Sequence, residues 1–158
     1  MLKLTLLLST FTAMKNNKNT HIAIVAANFY PDITKRLIDG ALAVLNEAGV
    51  ARQNTIVQLV PGCFEIPLAC RYFAQDKTCD AIIALGCAVK GDTDHYLAIM
   101  NAATQGITQV MLSYGKPIGF GIIFAHNFKQ AITRCGVKKN YGRVAALAAL
   151  SMISPYAE

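Results

Sequence analysis

The sequence predicts an α/β fold, a three-layer α/β/α sandwich around a four-stranded parallel sheet. Three observations carry this. Four short apolar runs, at 22–27, 54–60, 81–87 and 117–124, have the length and the Ile, Val and Ala content of strands. Each is followed by a stretch with helical spacing, which makes right-handed strand–helix–strand crossovers and a parallel sheet. The third run, Ala81-Ile-Ile-Ala-Leu-Gly-Cys87, is apolar throughout, as expected of a central strand covered on both faces. The plan is flavodoxin-like.

The elements follow in order. Residues 1–20 read as an N-terminal extension or tail, and 21–158 as one domain. Residues 1–13 hold one Lys, an apolar stretch and a small residue, so a short signal peptide is one reading of them. An extension ahead of Met14, or an apolar strand shared with a neighbouring subunit, is the other. The stretch is too short to span a membrane. After strand 22–27, Asp32 and Thr34 are candidate caps for a helix whose apolar face is Ile33, Leu37, Ile38, Ala41, Leu42, Leu45 and Ala48, ended by Gly49. Pro61-Gly62 breaks the second strand, and the second helix opens at Cys63, with Pro67 tolerated in its first turn. The third helix is expected from Asp94 to Tyr114. In the fourth strand Gly119 and Gly121 permit close backbone approach. A helix from Asn127 to Arg134 and an Ala-rich helix ending near Ile153 complete the chain.

Composition narrows the function. Hydrophobic residues make up 54% of the 158 and charged residues 15%. That apolar balance implies burial beyond a monomer's own core, hence a homo-oligomer. The net charge of +6 is scattered, with no nucleic-acid motif, and anionic small molecules suit it. The five cysteines form no C-x-x-C pair and share no ligand spacing with the three histidines, which points to reduced cytoplasmic thiols and no metal.

The most function-like stretch is Gly86-Cys-Ala-Val-Lys-Gly-Asp-Thr-Asp-His95, where an apolar strand delivers a polar loop to a helix start. Ligands of open parallel sheets bind at such ends, and helix starts offer unpaired N–H groups to anions. Gly91, Asp92 and Thr93 are candidates for phosphate, against the alternative of an ordinary capped turn. His95 is a candidate proton donor and acceptor whose protonated form a nearby phosphate would favour, against a helix-start histidine without a role. Phe29 is either a platform for a flat heterocycle or a packing residue. Glu65 either holds ligand hydroxyls or serves its helix dipole. Arg134 either pairs with phosphate or complements a helix end.

Several segments together resemble one family, the 6,7-dimethyl-8-ribityllumazine synthases of riboflavin biosynthesis. They are Asn28-Phe29 with Ile33-Thr34 and Gly40-Ala41; Val60-Pro-Gly-Cys-Phe-Glu-Ile-Pro67; Gly86 to His95; Pro117-Ile-Gly-Phe-Gly121; and Gln130-Ala-Ile-Thr-Arg134. The resemblance implies a transferase that condenses 5-amino-6-(D-ribitylamino)uracil with 3,4-dihydroxy-2-butanone 4-phosphate. The products are 6,7-dimethyl-8-ribityllumazine, phosphate and water. It implies that Phe29 stacks on the pyrimidine, that Cys63, Phe64 and Glu65 contact it, and that Cys87, Ala88 and Val89 line the same pocket. Asp92 and Thr93 bind the butanone phosphate, His95 transfers protons, and Phe120 and Arg134 reach in from an adjacent subunit. No cofactor or metal is implied, and no nucleic acid or membrane. The implied assembly is a cytoplasmic homopentamer or a larger body built on pentamers, with riboflavin synthase as a candidate partner. The loop Lys138-Lys-Asn-Tyr-Gly142 departs from the family's usual Asn-Lys-Gly, with Tyr141 facing the family lysine, and Phe124-Ala-His-Asn-Phe128 replaces a Thr-rich stretch. Two other classes compete: a flavin-binding or shell-forming relative with little catalysis, and a flavodoxin-like nucleotide binder.

Overall fold

A computed structural model describes residues 17–153. The expectations for residues 1–16, whether signal, extension or shared strand, lie outside that range. Four strands, β1 (Ile22–Ala27), β2 (Thr55–Val60), β3 (Ala81–Val89) and β4 (Ile118–Ala125), form one sheet in the order β2-β1-β3-β4. Every pairing is parallel. Five helices connect and cover them: α1 (Pro31–Glu47), α2 (Ile66–Gln75), α3 (His95–Tyr114), α4 (Phe128–Arg134) and α5 (Tyr141–Ile153). This is the three-layer sandwich that the alternation of runs predicts.

The strands divide their side chains between two cores, as the twofold period of a strand requires. Ile22, Ile24 and Ala26 of β1, with Ile83 and Leu85 of β3, pack under α1 and α5. Ala23, Val25 and Ala27, with Ile82 and Ala84, pack under α2 and α3. β1 is buried at all six positions, and β3 at its first seven. β2 is an edge strand and leaves Ile56, Val57 and Leu59 exposed.

Local chemistry moves several boundaries. The N-cap of α1 is Tyr30, with no side-chain cap bond, and Pro31 occupies the first turn. Asp32 therefore lies inside the first turn rather than capping it. Thr34 is not a cap either. It is 1% exposed, and its hydroxyl donates to the carbonyls of Ala27 at 2.6 Å and Tyr30 at 3.0 Å, stapling the helix to the end of β1. At the far end Gly49 takes a positive φ of 79°, which spares the Cβ clash that another residue would meet there. The second helix does not open at Cys63. A 3-10 turn spans Cys63–Glu65 and α2 begins at Ile66. Asn127 caps α4 by accepting the Gln130 N–H at 3.0 Å, so that helix begins one residue later than its spacing predicts. Both β3 and β4 run further than their apolar runs suggest, because each continues to pair with the other up to Val89 and Ala125.

Small residues let α5 lie directly on the sheet and on α1. A Cβ at Gly119 would run into the Ala145 carbonyl oxygen, and one at Gly142 into that of Leu37. Below the sheet, the Lys116 ammonium donates to the carbonyls of Cys79 and Asp76 and ties the loop before β3 to the one before β4. No helix among the described residues is long and apolar enough to cross a membrane.

Replacing Gly119 by Ala forces backbone apart rather than a flexible side chain aside. The expected cost is about 1–3 kcal/mol. Thermal unfolding of Gly119→Ala should therefore show a Tm lowered by roughly 2–12 °C. An unchanged Tm would mean that α5 does not rest on β4 this closely.

Candidate active site

Chain direction reverses across the sheet between β1 and β3. From β1 the chain crosses outward to β2, and from β3 it crosses the other way to β4. In open α/β sheets such a switch point opens a crevice beyond the carboxyl ends of the two strands. Here the crevice is deepened by unequal strand lengths. Pairing between β1 and β3 stops at Ala26 with Leu85, whereas β3 runs on beside β4 to Val89. The notch so formed is a cavity of about 690 Å³. That is the ordinary size for a small-molecule site.

Ten sequence-predicted residues line it: Phe29, Cys63, Phe64, Glu65, Cys87, Ala88, Val89, Gly91, Thr93 and His95. Each arrives by a separate local device. Phe29 stands in the turn after β1, 66% exposed, beside an Asn28 whose N–H donates to the Val60 carbonyl at 2.8 Å and holds the ends of β1 and β2 together. The ring packs edge-on against Tyr30, with 5.0 Å between centroids, and lines the cavity. Cys63, Phe64 and Glu65 sit on the 3-10 turn after Pro61-Gly62, with Cys63 buried and Phe64 59% exposed. The Gly62 N–H donates to Glu65 Oε2 at 2.9 Å, so the carboxylate closes its own turn. Its other oxygen has no hydrogen-bond partner among the described residues, and Glu65 lines the cavity. The carboxylate thus serves its own helix start through one oxygen, which does not commit the other.

Cys87, Ala88 and Val89 form the floor, on the part of β3 that outlasts β1. The loop beyond them leads into α3. Thr93 Oγ1 accepts the His95 N–H at 3.4 Å, and the Asp94 carbonyl accepts those of Leu97 and Ala98. The N–H groups of Gly91, Asp92, Thr93 and Asp94 carry no hydrogen bond among the described residues. His95 is the first residue of α3, with its ring on the cavity.

Three expected residues are not in the lining. Asp92 is exposed on the loop but outside the cavity. Phe120 is the third residue of the edge strand β4, registered with Ala84 and well short of the carboxyl end of the strand. It is 39% exposed and lies 6.2 Å from the Phe124 ring. Arg134 ends α4 and donates to the Gln130 carbonyl at 3.0 Å. Nearby, Asn140 caps α5: its Oδ1 accepts the Arg143 N–H at 3.2 Å while its amide nitrogen donates to the Arg36 carbonyl at 3.0 Å. Lys139 Nζ lies 5.6 Å over the Tyr141 ring. The structure also brings in side chains that sequence reasoning missed, chiefly Tyr30 and Tyr96. Each directly follows a residue that was singled out, and adjacency in a turn was the available signal.

The cavity is mostly apolar, and its thiols show it. Burial pushes Cys63 up to about 11 and Cys87 up to about 12, the latter helped by the neighbouring Cys63. Both stay protonated at neutral pH and act as small hydrophobes rather than nucleophiles. The arrangement offers an aromatic platform, a dry floor, an acceptor at Glu65, a base at His95 and a cluster of open N–H donors. It suits proton-transfer chemistry on a flat polar ring next to an anion.

Residues 19–156 match the family model described as 6,7-dimethyl-8-ribityllumazine synthase. A relative of that description from Porphyromonas gingivalis is 43% identical over 136 residues, covering 85% of this chain and 84% of its own length. One from Pediococcus pentosaceus is 39% identical over 139 residues, covering 87% and 89%. One from Cytophaga hutchinsonii is 39% identical over 149 residues, covering 93% and 94%.

The raised thiols yield a pH prediction. An unfolded thiol with the ordinary value of 9.0 loses its proton first, while the native ones keep theirs. Their contribution to stability is therefore complete below pH 9 and is lost as pH rises through about 11 to 12. At pH 8, alkylation of Cys63 by iodoacetamide should be roughly 100-fold slower in the native protein than in the unfolded chain, and Cys87 slower still. Equal rates, read by mass spectrometry, would contradict the buried placement.

Proposed function

The chain belongs to the 6,7-dimethyl-8-ribityllumazine synthase family, and on that premise we propose that its cavity condenses 5-amino-6-(D-ribitylamino)uracil with 3,4-dihydroxy-2-butanone 4-phosphate. The products are 6,7-dimethyl-8-ribityllumazine, phosphate and water, a step of riboflavin biosynthesis. The observation that carries the reading is the convergence of ten residues from three separate segments of the chain on one cavity at the switch point of the sheet.

The uracil ring stacks on Phe29, over the floor made by Cys87, Ala88 and Val89. Cys63 and Phe64 contact its edge, and the free oxygen of Glu65 accepts from ribityl hydroxyls. The phosphate of the second substrate sits at the loop of Asp92 and Thr93, where unbonded N–H groups face an anion. Asp92 contributes through its main chain, since its carboxylate would repel the ligand.

The amine of the pyrimidine adds to the ketone carbonyl, and the adduct loses water to give an imine. Phosphate then leaves, the second amine closes the ring, and a further water departs. His95 takes and returns protons in these steps. Holding the two substrates together supplies at best about 7–11 kcal/mol.

The working unit is a cytoplasmic homopentamer, or a larger body built from it. The exposed apolar side chains Ile56, Leu59, Leu68 and Leu112 support burial against copies of the chain. Phe120 and Arg134 lie outside the cavity of their own chain, which supports their completing that of a neighbour. Five buried free thiols agree with a reducing compartment.

The test is an assay with both substrates that follows lumazine absorbance and released phosphate in one tube. Equal amounts of both are expected, and a folded oligomer that releases neither would move the reading to a binding or shell protein. His95→Ala should lower kcat by roughly 100- to 10,000-fold while leaving assembly intact. Unchanged turnover would remove His95 from the mechanism. Arg134→Ala should raise the KM of the butanone phosphate, and an effect confined to the pyrimidine would contradict its placement.

A further inference from the structure

Tyr30 lines the cavity, yet the reading above assigns it nothing. Its backbone is pinned: its carbonyl accepts the Thr34 N–H at 2.9 Å and the Thr34 hydroxyl at 3.0 Å. Its ring is held edge-on from two sides. Phe29 lies at 5.0 Å between centroids and 79° between planes, and Phe128 at 5.2 Å and 86°. Such contacts fix the plane of the ring. The phenol at its tip has no hydrogen-bond partner among the described residues, and it is not sealed into the core. Burial, helped by the Cys87 and Cys63 thiols, holds the phenol above its ordinary ionisation range. At neutral pH the group is a neutral O–H donor.

The wall on which it stands has few other side-chain donors, and among the described residues its open main-chain donors are the N–H groups of Phe29, Cys63 and Phe64. Phe29 and Phe64 are apolar, Pro61 has no N–H, and the Gly62 N–H is committed to Glu65. An ionised Glu65 accepts only, and the Cys63 thiol is a weak donor. A carbonyl-bearing ring that leaves water to lie on Phe29 therefore meets one strong side-chain donor on this side.

We propose that Tyr30 is a specificity-determining residue whose phenol O–H donates a hydrogen bond to a ring carbonyl of the heterocycle stacked on Phe29. The proposal deepens the proposed function and rests on it in one respect, that the heterocycle is the aminouracil substrate. Tyr30 stands in direct contact with Phe29, so its hydroxyl addresses the rim of a ring lying there.

The experiment compares wild type, Tyr30→Phe and Tyr30→Leu in the assembled protein. Tyr30→Phe keeps both edge contacts and removes only the hydroxyl. The Kd of the pyrimidine alone, from equilibrium titration, and its KM should each rise roughly 3- to 10-fold. The KM of the butanone phosphate and the Tm should stay as in wild type. Tyr30→Phe that matches wild type while Tyr30→Leu is impaired would mean that the ring only packs, and overturns the proposal. So does a change confined to the butanone phosphate. If wild type binds the pyrimidine but forms no product, the reaction fails while the Kd ratio still decides the role of Tyr30. If wild type does not bind the pyrimidine, the proposal falls.

Discussion

The site depends on a missing side chain at Gly86. This residue is the first of β3 to lie beyond the pairing with β1. A Cβ there would fall 2.9 Å from the Cys63 sulfur, 3.2 Å from the Ala27 Cβ and 3.3 Å from the Ile66 Cδ1. The ends of β1 and β3, the turn after β2 and the start of α2 thus meet over one bare backbone position. Because they meet, the 3-10 turn that carries Cys63, Phe64 and Glu65 sits against β3. Because β3 continues past the meeting point, Cys87, Ala88 and Val89 are left as an uncovered floor.

The chemistry open to this notch follows from what lies in it. A parallel strand buried on both faces must be apolar, so the floor has no ion of its own. Polar groups enter only from loops, where backbone and side chains are free to turn. Glu65 closes its own turn through one carboxylate oxygen, so one bond both orients the carboxylate and fixes the loop. The 91–94 loop keeps its N–H groups unbonded at the start of a long helix, where the helix dipole adds to their pull on an anion. The two thiols, held protonated by burial, add polarisable bulk without competing for the chemistry.

The outer surface follows the same apolar logic. β2 is an edge strand with three exposed large aliphatic side chains, and α2 and α3 show Leu68, Tyr72, Leu97 and Leu112 to the outside. Burying such faces is favourable at about 25 cal/mol per Å². An assembly of copies would gain from that burial.

The sequence by itself determined the class of fold, because the twofold and 3.6-fold periods of apolar residues are local. It also determined the order of the elements and which loops leave the carboxyl ends of the strands. Ten of the thirteen residues singled out by that reasoning and by the family resemblance line one cavity. Caps and boundaries were less legible. Asp32 and Thr34 carry the right side chains for a cap, but Pro31 starts the helix ahead of them and Thr34 turns inward to a strand carbonyl. The register of Phe120, opposite Ala84 and short of the carboxyl end of β4, had no signal in the sequence. Tyr30 had no signal beyond its neighbour Phe29. Only the tertiary structure decided these, because register, strand overhang and the facing of a ring depend on contacts between segments far apart in the chain.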